Sequence, residues 1–459
     1  MKLLKWLEDR TGLVASLRPT LQHPVPPDAR WMYVFGTAIL TSFVLQAVTG
    51  ATLAFLYVPG TAAAYPTLQA ITQSVPFGRV VRGMHYFGAS AMFAFIGVHL
   101  VRVYLTAAYK YPRQVNWLSG VVLLLLTALM GYTGQVLRWD RNALWTLIVA
   151  VEQAGRVPVI GAFLGHLVLG GKTLGADTLS RFFALHVFVV PGLIAGLIGL
   201  HVFLVLRNGI SEPPRPGRPV DPATYRPWYE KMLQQHGVPF WPNAAWRDSV
   251  FSSLVIAGVV VLAWTFGPPA LDRTPDPTQI QVEPRPDWYF LFYFALLALM
   301  PHGLENFVMI AGPLLLILVL FLLPLLAPKG ERAPSKRPWA VVIVLASVTI
   351  LFALTRAGLH ANWSPRFHAK PLPAAVVASS DPHVVSGAQL FSQRACIYCH
   401  RIEGHGGRRG PELTHIGRLR TRNELVIRIL NGGYNMPSFG AILRPGELED
   451  IVAFLQSRR

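Results

Sequence analysis

A chain of 459 residues that is 52% hydrophobic and only 14% charged is not an ordinary soluble globule, and much of it requires an apolar solvent. The net charge of +18 does not point to nucleic acid. The basic residues are spread over the flanks of apolar runs and over the tail, where topology and anionic lipid account for them. Both cysteines fall in one motif near the C-terminal end, which excludes a disulfide framework.

Residues 1–17 have no short apolar core with a small-residue cleavage site, and read as an amphipathic helix lying on a membrane surface. Length and hydropathy then predict seven spans, over 32–58, 84–105, 117–137, 183–206, 249–266, 304–326 and 338–356. A Pro- and Arg-rich stretch, 211–247, is too polar to cross and divides four spans from three. Within the second group, 267–303 forms a long Pro-rich loop that carries its own aromatic run. Residues 361–380 read as a linker, and 381–459 as a small soluble helical domain ending in the amphipathic segment 447–455.

The expected fold is therefore all-α. A polytopic bundle has a four-helix domain in 1–210, a connection in 211–248 and a three-helix domain in 249–360. The linker and the soluble domain follow. Lys and Arg are concentrated on the side that includes the N-terminus, which makes that side cytoplasmic and, with seven spans, puts the soluble domain outside.

The second and fourth spans each carry two histidines. His85 and His99 are 14 residues apart, and His186 and His201 are 15 apart. At 1.5 Å per residue each pair spans roughly 21–22 Å, and at 100° per residue each returns to within about 40–60° of its starting face. Two such helices facing one another make two bis-histidine sites stacked across a bilayer core about 30 Å thick. Each site suits a planar haem with an imidazole on either side of its iron. Ionisable residues at matched depths in membrane helices are costly and point to function. Gly36 and Gly50 on the first span, and Gly120 and Gly134 on the third, repeat the 14-residue interval. They leave room for haem edges against backbone. Arg82 is either a partner for a haem propionate or a topogenic charge.

Cys396-Ile397-Tyr398-Cys399-His400 is C-x-x-C-H, the attachment signature of c-type haem: two thiols form thioethers and His400 is the proximal ligand. Met436, in Gly433-Tyr434-Asn435-Met436-Pro437, is the natural distal ligand, because a thioether raises the haem potential. His405 and His415 are its rivals and read as surface residues. In the long loop, Pro286-Asp287-Trp288-Tyr289 sets a carboxylate among aromatic residues. Such a group can take a proton from a hydroquinone that ring contacts hold, although an interfacial aromatic belt looks similar.

These residues resemble a known family. Arg82-Gly83-Met84-His85, the run from His99 to Thr106, Val157-Pro158-Val159-Ile160-Gly161, Thr178-Leu179-Ser180-Arg181-Phe182 and Asn208-Gly209-Ile210-Ser211 are similar to cytochrome b of bc-type complexes, particularly cytochrome b6. Residues 239–356 resemble subunit IV, with Trp241-Pro242-Asn243 and PDWY where the family usually has PEWY. Residues 381–459 resemble a class I cytochrome c. The resemblance implies two non-covalent haems b, the outer one held by His85 and His186 and the inner by His99 and His201, and one covalent haem c. It implies quinol oxidation at an outer (Qo) site and quinone reduction at an inner (Qi) site, with Asp287 as proton acceptor and Tyr289 beside it, and on the inner side Arg207 as either a partner for a quinone or propionate or a positive-inside charge. One electron would reach haem c through a Rieske iron–sulfur protein, and the other would cross the two haems b.

The implied setting is a multi-pass protein of a prokaryotic inner membrane, in a homodimeric complex. The acceptor would be a soluble or membrane cytochrome c or a terminal oxidase. The chain departs from the family at three places. Asp287 is a methylene shorter than glutamate, Arg138 stands where proline is usual, with Arg141 nearby, and Val34 replaces the cysteine that would attach a third haem. Two other readings stay open at this point: a dihaem anchor of another quinone-linked enzyme, and a passive electron conduit.

Overall fold

The computed structural model describes the chain except Met1, 172–173, 277–283, 361–369, 408–409, 433–435, Pro437 and Ala441. Parts of the long loop, the linker and the motif around Met436 thus lie outside the described residues. Seven helices are long and apolar enough to cross a membrane: Phe35–Ala54, Gly78–Leu105, Gln114–Val136, Ala176–Asn208, Ala245–Thr265, Leu304–Leu326 and Pro338–His360. All seven expected spans are present. Several run past the apolar core that hydropathy detects, because helix continues into polar flanks such as Gly78–Arg82. The segment expected as one N-terminal amphipathic helix is two helices, Lys2–Thr11 and Leu13–Leu21, broken where Gly12 takes φ +58°.

The first span packs along the second, and the fifth span packs on both. Gly83 allows the fifth span to approach closely, since a Cβ there would lie 3.0 Å from the Ala263 methyl. The third span packs on the fourth. The fourth is one continuous helix with a π-helical turn, Leu185–Val189, just before Pro191. Proline has no N–H for the carbonyl four residues back, and a π-turn absorbs the mismatch by taking in one extra residue. This explains why the two histidine intervals differ by one. The interval of 15 contains the wide turn and so covers about the same rotation as the plain interval of 14.

The two halves of the bundle are tied together on the His99 and His201 side. Lys110 Nζ donates to the carbonyls of Ala327, at 3.0 Å, and Lys329, at 2.5 Å. Arg332 pairs with Glu212, the Trp117 indole N–H donates to Leu320 O at 2.6 Å, and Pro24–Val25 pairs with Val238–Pro239. Lys110, Arg332 and Arg337 are buried there, and that burial, with the two neighbouring guanidiniums, pushes the Lys110 ammonium down to about 8. The C-terminal domain has its own core, built on Phe391, Ile397, Ile402, Ile451 and Phe454. Its last helix, Pro445–Ser457, packs on Pro382–Gln393 through Gly387, where a Cβ would fall 1.9 Å from a carbonyl oxygen.

Candidate functional site

The second and fourth spans bring His85 and His186 face to face, with ring centroids 6.2 Å apart. That is close to the separation of two imidazoles that each place a nitrogen about 2 Å from one metal between them. Each of the four glycines lies against one histidine. A Cβ on Gly134 would sit 2.7 Å from His186 Cε1, on Gly50 3.1 Å from His85 Cε1, on Gly120 3.6 Å from His201 Cε1 and on Gly36 3.8 Å from His99 Cε1. The small residues of the first and third spans thus make room for the rings of the second and fourth.

Three ring orientations are held by hydroxyls. His85 Nδ1 is 2.9 Å from Thr49 Oγ1, His186 Nδ1 3.0 Å from Thr133 Oγ1 and His201 Nδ1 2.8 Å from Ser119 Oγ. Each hydroxyl donates its own proton to a carbonyl in its helix: Leu45, Met130 and Asn116 respectively. The imidazole Nδ1–H must therefore be the donor to the hydroxyl oxygen, which leaves Nε2 without a proton and able to bind a metal. Among the described residues His99 has no such partner. Sequence reasoning missed these hydroxyls, yet their signal is plain, because each immediately precedes its glycine: Thr49-Gly50, Ser119-Gly120 and Thr133-Gly134. At the fourth position Phe35 precedes Gly36.

A cavity of about 440 Å³ runs from between His85 and His186 to Asp287 and Tyr289. The Tyr289 hydroxyl donates to Asp287 Oδ2 at 3.0 Å, and its ring stacks on Phe93 with centroids 3.8 Å apart. The Asp287 N–H donates to Gln135 Oε1 at 3.3 Å. Burial pushes the Asp287 carboxyl above the usual carboxylate range, while Arg138 and the Tyr289 hydroxyl pull it the other way. Arg82 lines the same cavity but is already engaged, donating to Thr72 Oγ1 at 3.0 Å and Pro269 O at 3.1 Å. Arg207 is exposed at the end of the fourth span, without a hydrogen bond among the described residues.

In the soluble domain the two cysteines lie on the single turn Cys396–Cys399. Burial pushes the Cys396 thiol up to about 12. His400 Nδ1 donates to Pro411 O at 2.9 Å, and a Cβ on Gly410 would come 2.6 Å from its ring. This repeats the arrangement of a small residue and an Nδ1 acceptor found in the membrane. Met436 is half-buried on the core that also receives Cys396 and Tyr398. His405 and His415 are exposed. The imidazole pairs, glycine cradles, Nδ1 acceptors and adjoining void fit planar, metal-centred groups in the membrane, and the C-x-x-C-H turn fits a covalently attached one.

Comparison with known proteins agrees with that chemistry. The family described as cytochrome b/b6/petB matches residues 20–209, and cytochrome b (C-terminal)/b6/petD matches 274–375. A family described as cytochrome c oxidase, cbb3-type, subunit III, matches 382–455. Cytochrome b6 of Synechococcus elongatus is 37% identical over 212 residues, which are 46% of this chain and 99% of that protein. Cytochrome b6 of Heliobacterium modesticaldum is 36% identical over 212 residues, 46% of this chain and 100% of its own. Among solved structures, a hyperthermophilic respiratory Complex III chain aligns with a TM-score of 0.67 at 25% identity, over 78% of this chain and 91% of that one.

Proposed function

The chain belongs to the cytochrome b/b6 family of bc-type complexes, and from that premise we propose that it is a quinol-oxidising core fused to the cytochrome c that receives its electrons. Its boundaries follow the sequence: a dihaem domain in 1–210, a three-helix domain in 249–360 and a cytochrome c domain in 381–459. His85 with His186 and His99 with His201 would hold two haems b. Cys396 and Cys399 would attach haem c, and His400 and Met436 would hold its iron. When bound, these groups supply a chain of one-electron carriers.

Quinol enters the cavity beside Asp287 and Tyr289, where Phe93 and Tyr289 offer flat apolar faces and Asp287 takes a proton. One electron leaves for a separate Rieske iron–sulfur protein and from there reaches the c domain. The other crosses the membrane to a quinone on the His99 and His201 side. The partner is needed because both cysteines of the sequence are in C-x-x-C-H. The protein works in a prokaryotic cytoplasmic membrane, with the N-terminus inside and the c domain outside, as part of a dimer. A cytochrome c or terminal oxidase drains it.

The observation that carries this reading is the single cavity linking the His85–His186 pair to the carboxylate. An electron conduit or a dihaem anchor has no use for a carboxylate there. The test mixes quinol with the purified chain, with and without a Rieske-type partner, and follows both haem types optically. With the partner both are reduced, and Asp287→Ala slows this by about 10²-fold. Equal rates of haem c reduction without the partner, or an Asp287→Ala variant as fast as the parent, contradict the proposal.

A further inference from the structure

Where the family usually has proline this chain has Arg138, and its usual glutamate is Asp287; the two meet. Arg138 is anchored on one side by Asp140, to which Nε donates at 3.2 Å and Nη2 at 2.9 Å. Asp140 is itself held in place by burial and by backbone donors. Its side chain is fully buried, caps Arg141–Gly155 by accepting from Ala143 N at 2.8 Å, and accepts from Asp272 N at 3.1 Å. The remaining arm of the guanidinium, Nη1, lies 3.7 Å from Asp287 Oδ1. That distance allows charge pairing but is too long for a hydrogen bond. The two carboxylate oxygens are therefore unlike: Oδ2 takes the Tyr289 hydroxyl, and Oδ1 faces a fixed positive charge with its lone pairs uncommitted to it.

We propose that Arg138 is a positioning residue for quinol oxidation, which holds the short Asp287 side chain as an ionised carboxylate and presents Oδ1 as the proton-accepting atom. This rests on the reading of Asp287 given above. When quinol binds, its O–H bond breaks and an Oδ1–H bond forms. The two electrons leave singly, one for the iron–sulfur partner and one towards the His85–His186 pair that would hold the outer haem, and the second quinol proton passes to water at the outer face. Protonation removes the charge that Arg138 faces, but Asp140 still neutralises the guanidinium, so no buried cation is orphaned. The other titratable and charged groups that bear on Asp287 are Tyr289 on its own segment, Tyr86 on the second span and Asp140. Asp140 acts in the opposite sense and Tyr86 supplies no positive charge, so among the described residues Arg138 is the cation that offsets the burial of Asp287.

The sign follows. The acceptor works only when ionised, so the rate falls as pH drops through its pKa, and loss of Arg138 moves that fall to higher pH. The experiment measures the pH profile of quinol-driven haem c reduction in the assembled complex for Arg138→Gln, Arg138→Lys and Asp287→Asn. In Arg138→Gln the acid limb moves up by about one pH unit, in Arg138→Lys it stays near the parent, and in Asp287→Asn the limb disappears along with most of the rate. An unmoved limb in a haem-replete Arg138→Gln protein overturns the assignment of Arg138. A full rate with an intact limb in Asp287→Asn overturns instead the role of Asp287, so the two failures are distinguishable. Should Arg138→Gln lose its haems, infrared difference spectra of the parent against Asp287→Asn decide. A carboxylate signal at neutral pH is the expected result, and a protonated carboxyl signal at neutral pH overturns the proposal.

Discussion

Glycine-to-alanine substitutions at positions 36, 50, 120 and 134 form a graded series whose order the structure dictates. The added methyl would stand 2.7 Å from the His186 ring at 134, 3.1 Å from His85 at 50, 3.6 Å from His201 at 120 and 3.8 Å from His99 at 36. Ordinary carbon contacts begin near about 3.5 Å, so the ring must retreat by about 0.8 Å at 134 and about 0.4 Å at 50, and not at all at 120 and 36. A metal–nitrogen bond tolerates only about 0.2 Å. Overpacking of this kind costs about 1–3 kcal/mol, which weakens cofactor retention by roughly 5- to 150-fold. The assay is the ratio of haem b to haem c after detergent purification, together with the rate at which haem b is lost to an excess of an apo-globin. Gly134→Ala is expected to lose one haem b, Gly50→Ala to release it faster than the parent, and Gly120→Ala and Gly36→Ala to behave as the parent. Equal losses at all four positions, or greater loss at 36 than at 134, would refute the reasoning that these glycines act by clearing space for the rings.

Thr133→Ala removes the acceptor of the His186 Nδ1 proton, makes the ligand a poorer electron donor and raises the midpoint potential of the haem it holds. Thr133→Ser leaves the potential near the parent value, and a redox titration in which Thr133→Ala is unmoved or lower contradicts this. Asp140→Ala leaves Arg138 without its anchor and Ala143 N without its cap. A buried pair broken on one side costs about 3–5 kcal/mol, seen as thermal loss of the haem b spectrum well below the parent's midpoint; an unchanged midpoint argues against it. Cys396→Ser with Cys399→Ser abolishes covalent haem while the haem b spectrum survives, because the c domain has its own core. Simultaneous loss of both haem types would show that the two regions fold as one.

Much of the site was legible because helical geometry is rigid. The histidine and glycine intervals depend only on rise and twist, so their shared faces follow from counting. The unequal interval of 15 was legible as a number, but not as a cause. Its π-turn arises from the way Pro191 disturbs a packed helix, and periodicity carries no sign of that. The three hydroxyls were on view in the sequence as Thr-Gly, Ser-Gly and Thr-Gly. Threonine and serine are common enough in membrane helices that their aim at Nδ1 becomes evident only with the rings in place. The pairing of Arg138 with Asp287 joins segments far apart along the chain, whose approach is set by tertiary packing and not by local propensity. Arg141 is explained similarly, since it holds the long loop through two 2.9 Å contacts to Asp272.

The most direct test of the central claim is a pyridine haemochrome spectrum of the purified chain, which counts b-type and c-type haem per polypeptide. Two haems b to one haem c is the predicted result, since it requires both histidine pairs and the C-x-x-C-H turn to be filled. One haem b, or none of the c type, contradicts the ligand assignments on which the proposed electron path depends.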